Sequence, residues 1–202
     1  MLPILSSLQA VPLTNNSDRD LSLQSEAACV RLAQLGDLQA LETLLFSIDT
    51  RIRAYVSSLV SQDSADDVLQ DVAFTLYKEI RYLREPAAFR SWIYRIATRI
   101  AFRYLKRQRQ WDAFERDTEV LESIPAPDKP TAWEQDASFL ERIRLVSPSS
   151  RAVLLLHYQQ DLDLPHVAAI LNIPLGTAKS RLAYGVATLR KQTKESQYVC
   201  TK

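Results

Sequence analysis

Glycine stands at only three of 202 positions, Gly36, Gly176 and Gly185. That scarcity narrows the folds open to this chain more than any other feature. The phosphate-binding turns of dinucleotide and P-loop folds need glycines clustered at fixed spacing, and the sequence has no such cluster. Long runs of Leu, Ala, Arg and Gln suit a mostly helical chain instead. Apolar residues make up 47% of the sequence, enough to bury one or two cores.

The periodicity agrees. Val30, Leu32, Leu35, Leu38, Leu41, Leu44, Leu45 and Ile48 recur at helical spacing between Glu26 and Val60. Gly36-Asp37 interrupts them and reads as the end of one helix and the cap of the next. Ser64-Ala65-Asp66-Asp67 opens a further helix, which Glu85-Pro86 stops. Another runs from Phe89 to about Arg109. No strand pattern and no internal repeat is present.

Between Trp111 and Ala137 the period collapses, and Pro125-Ala126-Pro127-Asp128-Lys129-Pro130 is extended and hard to pack. The expected fold is therefore all-α: two helical domains joined by a flexible, acidic, proline-containing linker. The boundaries follow as a loose leader (1–25), a first domain (26–110), the linker (111–137), a second domain (138–194) and a tail (195–202). Helical spacing in the second domain covers Phe139–Leu145, Pro148–Gln159, Leu164–Leu171 and Thr177 to about Lys194.

Net charge is only +1, but its distribution is uneven. From Arg81 to Arg109 the charges are all positive apart from Glu85, whereas Asp112 to Asp136 is mainly acidic. A basic face beside an acidic tether suits a polyanionic partner.

Leu164–Leu171, a turn at Asn172–Gly176, and a second helix capped by Thr177 have the spacing of a helix-turn-helix. Ala178, Leu182, Val186 and Leu189 should pack inward. Thr177, Ser180, Arg181, Tyr184 and Thr188 should face outward, flanked by Lys179 and Arg190. Hydroxyl and guanidinium groups so placed can reach base edges or phosphates in a major groove.

Pro174-Leu175-Gly176-Thr177-Ala178-Lys179-Ser180-Arg181-Leu182 resembles the Pro-x-Gly-Thr-Val-Lys-Ser-Arg signature in the −35-binding domain of extracytoplasmic-function (ECF) sigma factors. Ser147-Pro148 through Arg151-Ala152-Val153 is similar to that domain's Leu-Pro-x-x-x-Arg-x-Val opening helix, with Ser147 in place of Leu. The resemblance implies that Thr177, Lys179, Ser180, Arg181, Tyr184 and Arg190 contact the −35 element.

A second resemblance lies upstream. Asp66-Asp67-Val68-Leu69-Gln70-Asp71, followed by Phe74, is similar to the family's Asp-x-x-Gln-Glu segment, which docks on the largest subunit of RNA polymerase. The resemblance implies core-polymerase binding by Asp66, Asp67, Gln70, Asp71 and Phe74; the last four lie three or four apart and share a helix face. Phe89-Arg90-Ser91-Trp92-Ile93-Tyr94-Arg95-Ile96-Ala97 resembles the run leading into the family's −10 recognition element. Phe89, Trp92, Ile93, Ile96, Ile100 and Tyr104 form an inward stripe. Arg95, Arg99, Arg103, Lys106, Arg107 and Arg109 would follow the phosphates of opening promoter DNA. Arg99 stands near where the family often has Asn, so the −10 preference should differ from that of common members.

The resemblance implies a non-enzymatic protein with core RNA polymerase, promoter DNA and an anti-sigma factor as partners. No cofactor or metal is expected, because Cys29, Cys200, His157 and His166 lack ligand spacing. Met1–Ala10 lacks a secretory pattern, and no apolar run suits a bilayer, so the expected site is the cytoplasm without membrane insertion. The rival readings are a stand-alone helix-turn-helix regulator and a helical enzyme or interaction protein.

Overall fold

A computed structural model describes residues 16–108 and 142–199, with side chains placed over 25–108 and 142–191. Every regular element among them is helical. The linker, the first part of the helix expected at 139–145, the tail beyond 199 and Arg109 lie outside the described residues.

Helices α1 (Asn16–Gln34), α2 (Leu38–Leu59), α3 (Gln62–Glu79) and α4 (Phe89–Arg107) build the first domain. Helix α1 starts ahead of the expected Glu26, at Asn16-Ser17-Asp18, residue types that favour a first helical turn. Gly36 and Asp37 do what their order implies. Gly36 adopts φ +94°, a left-handed conformation costly for a residue with a β-carbon. The Asp37 carboxylate then accepts from the amides of Gln39 and Ala40. Around this corner Leu32, Leu35 and Leu38 remain exposed, because the inward register is taken by Val30, Ala33, Ala40, Leu41 and Leu44. Gln34 closes the corner, its side-chain amide donating to the carbonyls of Ile80 (3.0 Å) and Leu83 (2.7 Å).

Helix α3 opens at Gln62 with Ser61 before it, so Ser64 and Ala65 are buried on its inner face rather than capping it. On α4, Phe89, Ile93, Ile96 and Ile100 are buried as expected, whereas Trp92 and Tyr104 are only half-buried. Thr98 donates to the Tyr94 carbonyl (2.7 Å), so the buried Tyr55 hydroxyl must be the donor in its own 2.7 Å bond to Thr98.

The second domain contains α5 (Pro148–Leu154), a π-helical turn (Leu155–Gln159), α6 (Leu164–Leu171) and α7 (Leu175–Val199). Asp163 caps α6 by accepting from the His166 amide. Asn172, in the left-handed region at φ 54°, ends it. Helix α7 begins two residues before Thr177, and the Ala178 amide already bonds the Pro174 carbonyl. Thr177 is therefore a first-turn residue and not the cap. Ala178, Leu182, Val186 and Leu189 are buried, with Ala183 beside them. The two domains share one continuous apolar core from Val30 to Leu105 and from Ile143 to Leu189.

Candidate polymerase and promoter interface

Helix α3 presents Asp67, Gln70, Asp71 and Phe74 outward, in line along one face. Phe74 is 57% exposed and carries the Lys78 ammonium 4.2 Å from its ring centre. Tyr77, 59% exposed and one turn beyond Phe74, extends this face; it has the same i, i+3 spacing but lies past the end of the motif. Asp66 stands at the edge of the same face, one turn before Gln70, and Arg53 of α2 holds its carboxylate at 2.7 Å. That hydrogen bond is the main reason the Arg53 guanidinium is held more firmly charged.

On α4, Arg95, Arg99, Arg103, Lys106 and Arg107 are all exposed along the outer side. Three of them have partners among the described residues. Arg99 faces Glu79 (3.6 Å) and Arg103 faces Asp71 (3.9 Å), both across the α3–α4 groove. Arg95 donates to the carbonyl of Ala169 in the second domain (2.9 Å). The first two are surface pairs of the kind worth about 0–1 kcal/mol, easily exchanged for phosphate.

On α7, Lys179 and Arg190 are exposed, while Thr177, Ser180, Arg181 and Tyr184 are half-buried. The Ser180 hydroxyl donates to the Thr177 carbonyl (3.1 Å). Burial pulls the Arg181 guanidinium pKa down. Thr177, Ser180, Arg181 and Tyr184 thus share the outer side of one helix, and Lys179 and Arg190 stand together along one edge of it.

Arg151 has a different part. Sequence placed it in a motif; the structure buries it at 8% exposure. Its guanidinium donates to the carbonyls of Ser58 (3.3 Å) and Leu59 (2.9 Å), the last two residues of α2. It also donates to Arg144 and Val146 in its own domain. Burial pulls its pKa down to about 10, so it stays charged at neutral pH. The carbonyl ends of a helix carry partial negative charge, which suits this cation.

Among the described residues, no group of three His, Cys, Asp or Glu side chains is arranged to hold a metal ion, and no helix is long and apolar enough to cross a membrane.

Comparison with known proteins finds two family matches on the chain. Residues 44–110 match Sigma-70 region 2, and residues 137–189 match Sigma-70 region 4. The chain is 28% identical over 142 residues to the ECF RNA polymerase sigma factor SigW of Bacillus subtilis, covering 65% of this chain and 76% of that protein. It is 27% identical over 169 residues to the ECF RNA polymerase sigma-E factor of Escherichia coli K12, covering 78% and 88%. Among solved structures, CnrH in complex with the cytosolic domain of CnrY shares the fold at TM-score 0.63 and 19% identity, over 84% of this chain and 97% of that one. The sigma factor RpoE of Bartonella quintana, in complex with the anti-sigma factor NepR, does so at TM-score 0.58 and 22% identity, over 76% and 96%.

Proposed function

The chain belongs to the ECF group of RNA polymerase sigma factors, and from that premise we infer that it binds core RNA polymerase and directs it to a particular set of promoters. The observation that carries the reading is the pairing of regions 2 and 4, in that order, on one chain. A stand-alone helix-turn-helix regulator has no use for the first of them.

Within this reading, Asp67, Gln70, Asp71 and Phe74 of α3 dock on the polymerase, where carboxylates and an amide meet cationic partners through charge-assisted bonds. The arginines of α4 and Lys106 follow the backbone of the −10 element; Arg109 is assigned the same role from sequence. Thr177, Lys179, Ser180, Arg181, Tyr184 and Arg190 of α7 read the −35 duplex. Phosphate contacts of this kind supply affinity and salt dependence, and base-edge contacts supply choice. The chemistry of RNA synthesis belongs to the polymerase, so this chain acts without a catalytic centre and in the cytoplasm. The sigma factor RpoE solved with the anti-sigma factor NepR supports an anti-sigma factor as a further partner.

The deciding experiment is binding of the purified chain to bacterial core polymerase, beside an Asp67→Arg, Asp71→Arg double variant. Tight binding that the variant loses is the expected result. A chain that binds duplex DNA and ignores the polymerase would return the case to a stand-alone regulator. The α4 assignment is tested in the holoenzyme, where Arg99→Ala with Arg103→Ala should weaken promoter retention and lower the salt slope by about one per lost phosphate contact.

A further inference from the structure

We propose that a cleft between α2, the start of α4 and the turn that follows the π-helical segment binds a compact phosphate monoester, an anionic head on a short apolar stem. The cleft has a volume of about 210 Å³, below the roughly 300–1,000 Å³ of sites that take drug-sized ligands. Its ligand is therefore small. Arg51 of α2, Arg90 and Ser91 of α4, and Gln160 of the second domain supply the polar lining; Ile48, Ile52, Ile93 and Leu162 supply the apolar part. The two chemistries are separated by depth. Ile48, Ile52 and Ile93 are buried and form the floor, whereas Arg51 is exposed and Arg90 half-buried at the mouth.

The mouth is arranged for a phosphoryl group. The Glu26 carboxylate takes the Nε of Arg90 at 2.9 and 3.1 Å, which fixes that guanidinium and leaves its terminal nitrogens as donors. Among the described residues no carboxylate pairs with Arg51. Two guanidinium groups against one carboxylate keep the mouth positive. Both pull on the phenol of Tyr94, which lines the same cleft, so the two cations flank one position. Tyr94 donates to the side-chain oxygen of Gln160, and the amide NH2 of Gln160 remains to donate. Planar guanidinium forks match phosphate oxygens, on which they place two bonds at once.

The floor selects the rest of the ligand. Inorganic phosphate would engage the guanidinium groups but not the isoleucines. A short hydrocarbon stem reaches both, and removing that apolar surface from water favours the ester. A polynucleotide has the same phosphoryl chemistry, but its repeated charges follow an open track of cations. A recess that holds two cations and is walled on three sides fits a single head group. None of the residues assigned above to polymerase or promoter lines the cleft, so the inference is independent of that reading.

The test is a titration of the isotope-labelled full chain with phenyl phosphate, followed by nuclear magnetic resonance, with inorganic phosphate in parallel. Saturable shifts centred on Arg51, Arg90 and Gln160 are expected, and phenyl phosphate should bind roughly tenfold more tightly than inorganic phosphate. Arg51→Gln should weaken phenyl phosphate binding at least roughly tenfold, the scale of one charge-assisted bond. Arg31→Gln, at another exposed arginine in the last turn of α1 and outside the cleft, should leave the affinity unchanged. Both substitutions fall on exposed side chains, so helicity should be kept. No saturable shift, or equal weakening by the two variants, overturns the site, the second by reducing it to general anion attraction. Equal affinity for phosphate and phenyl phosphate overturns the apolar stem. A short single-stranded oligonucleotide of mixed sequence should not displace phenyl phosphate; displacement would assign the cleft to a nucleic-acid backbone and overturn the small-molecule ligand.

Discussion

Gly185 of α7 crosses Leu154 of α5 so closely that a β-carbon at position 185 would stand 2.6 Å from Leu154 Cδ1 and 3.0 Å from its Cγ. Leu154 is 2% exposed and cannot swing away. Alanine at 185 would gain about 1 kcal/mol of helix propensity, against roughly 1–3 kcal/mol for overpacking a filled core. The clash should win. Gly185→Ala is expected to lower the thermal midpoint, and Gly185→Val to unfold the second domain. Gly176→Ala is the control, because nothing lies within 4 Å of its added carbon. Equal stability of the two alanine variants by circular dichroism melting would show that the crossing tolerates a methyl group.

The α1–α2 corner gives a second prediction. Asp37 accepts two amide bonds at the start of α2, and removing such a cap costs about 1 kcal/mol. Asp37→Ala should therefore lower the melting temperature, while Asp37→Ser or Asp37→Asn retains most of it. Gly36→Ala should cost a similar amount, about 1–2 kcal/mol, through its left-handed backbone. A melt in which Asp37→Asn falls as far as Asp37→Ala would argue that lost charge, and not capping, is responsible.

That corner was legible in sequence because glycine followed by aspartate has one local meaning, and the end of α6 was legible from the turn that opens at Asn172. Helix α7 starts two residues before the cap its residue types suggest. Thr177 has the chemistry of a cap, but the Pro174 carbonyl already accepts the Ala178 amide, a choice made by backbone geometry that residue type does not announce. Leu32, Leu35 and Leu38 kept a helical spacing yet lie outside, since a period fixes which residues share a face and not which face is covered. The candidate site divides in the same way. Asp67 through Phe74 share a face by helical arithmetic alone. Arg151 could not be read as a bridge to Ser58 and Leu59, because its partners are backbone carbonyls more than ninety residues away.

Alkaline titration should report the core of the first domain. Tyr55 and Tyr94 meet edge to face, with ring centres 5.3 Å apart. Burial pushes both phenols up, Tyr94 to about 12 against opposing pulls from Arg51 and Arg90, and Tyr55 up despite its bond to Thr98. A pKa raised on folding contributes stability that is whole below the unfolded value near 10 and is lost as pH rises towards the folded one. Arg151 works in the opposite sense, since its pKa is lowered on folding, but two tyrosines oppose one arginine. Helicity should accordingly fall between about pH 10 and 12, and these two of the eight tyrosines should ionise only as it does. Tyr55→Phe should shift the alkaline midpoint upward in combined phenolate absorbance and circular dichroism; a midpoint that stays put would remove Tyr55 from the account.

The outer face of α3 permits a graded prediction for polymerase binding. Asp66 belongs to the motif by sequence, but its carboxylate stands at the edge of the face and is engaged by Arg53, so Asp66→Ala should change the affinity less than about twofold, the range of an exposed ion pair. Phe74 and Tyr77 are large, exposed and one turn apart on the outer face of α3, and aromatics at the centre of an interface are where truncation costs about 2 kcal/mol or more. Phe74→Ala and Tyr77→Ala should each weaken core binding by at least roughly tenfold. Neither should lower the melting temperature of the free chain, because neither side chain is in its core. Quantitative binding of core polymerase to the three variants separates the possibilities. If Asp66→Ala were the most damaging, the polymerase would be reading the side of α3 turned towards Arg53 of α2. Loss confined to Phe74→Ala would end the docking surface one turn earlier, at the limit of the sequence motif.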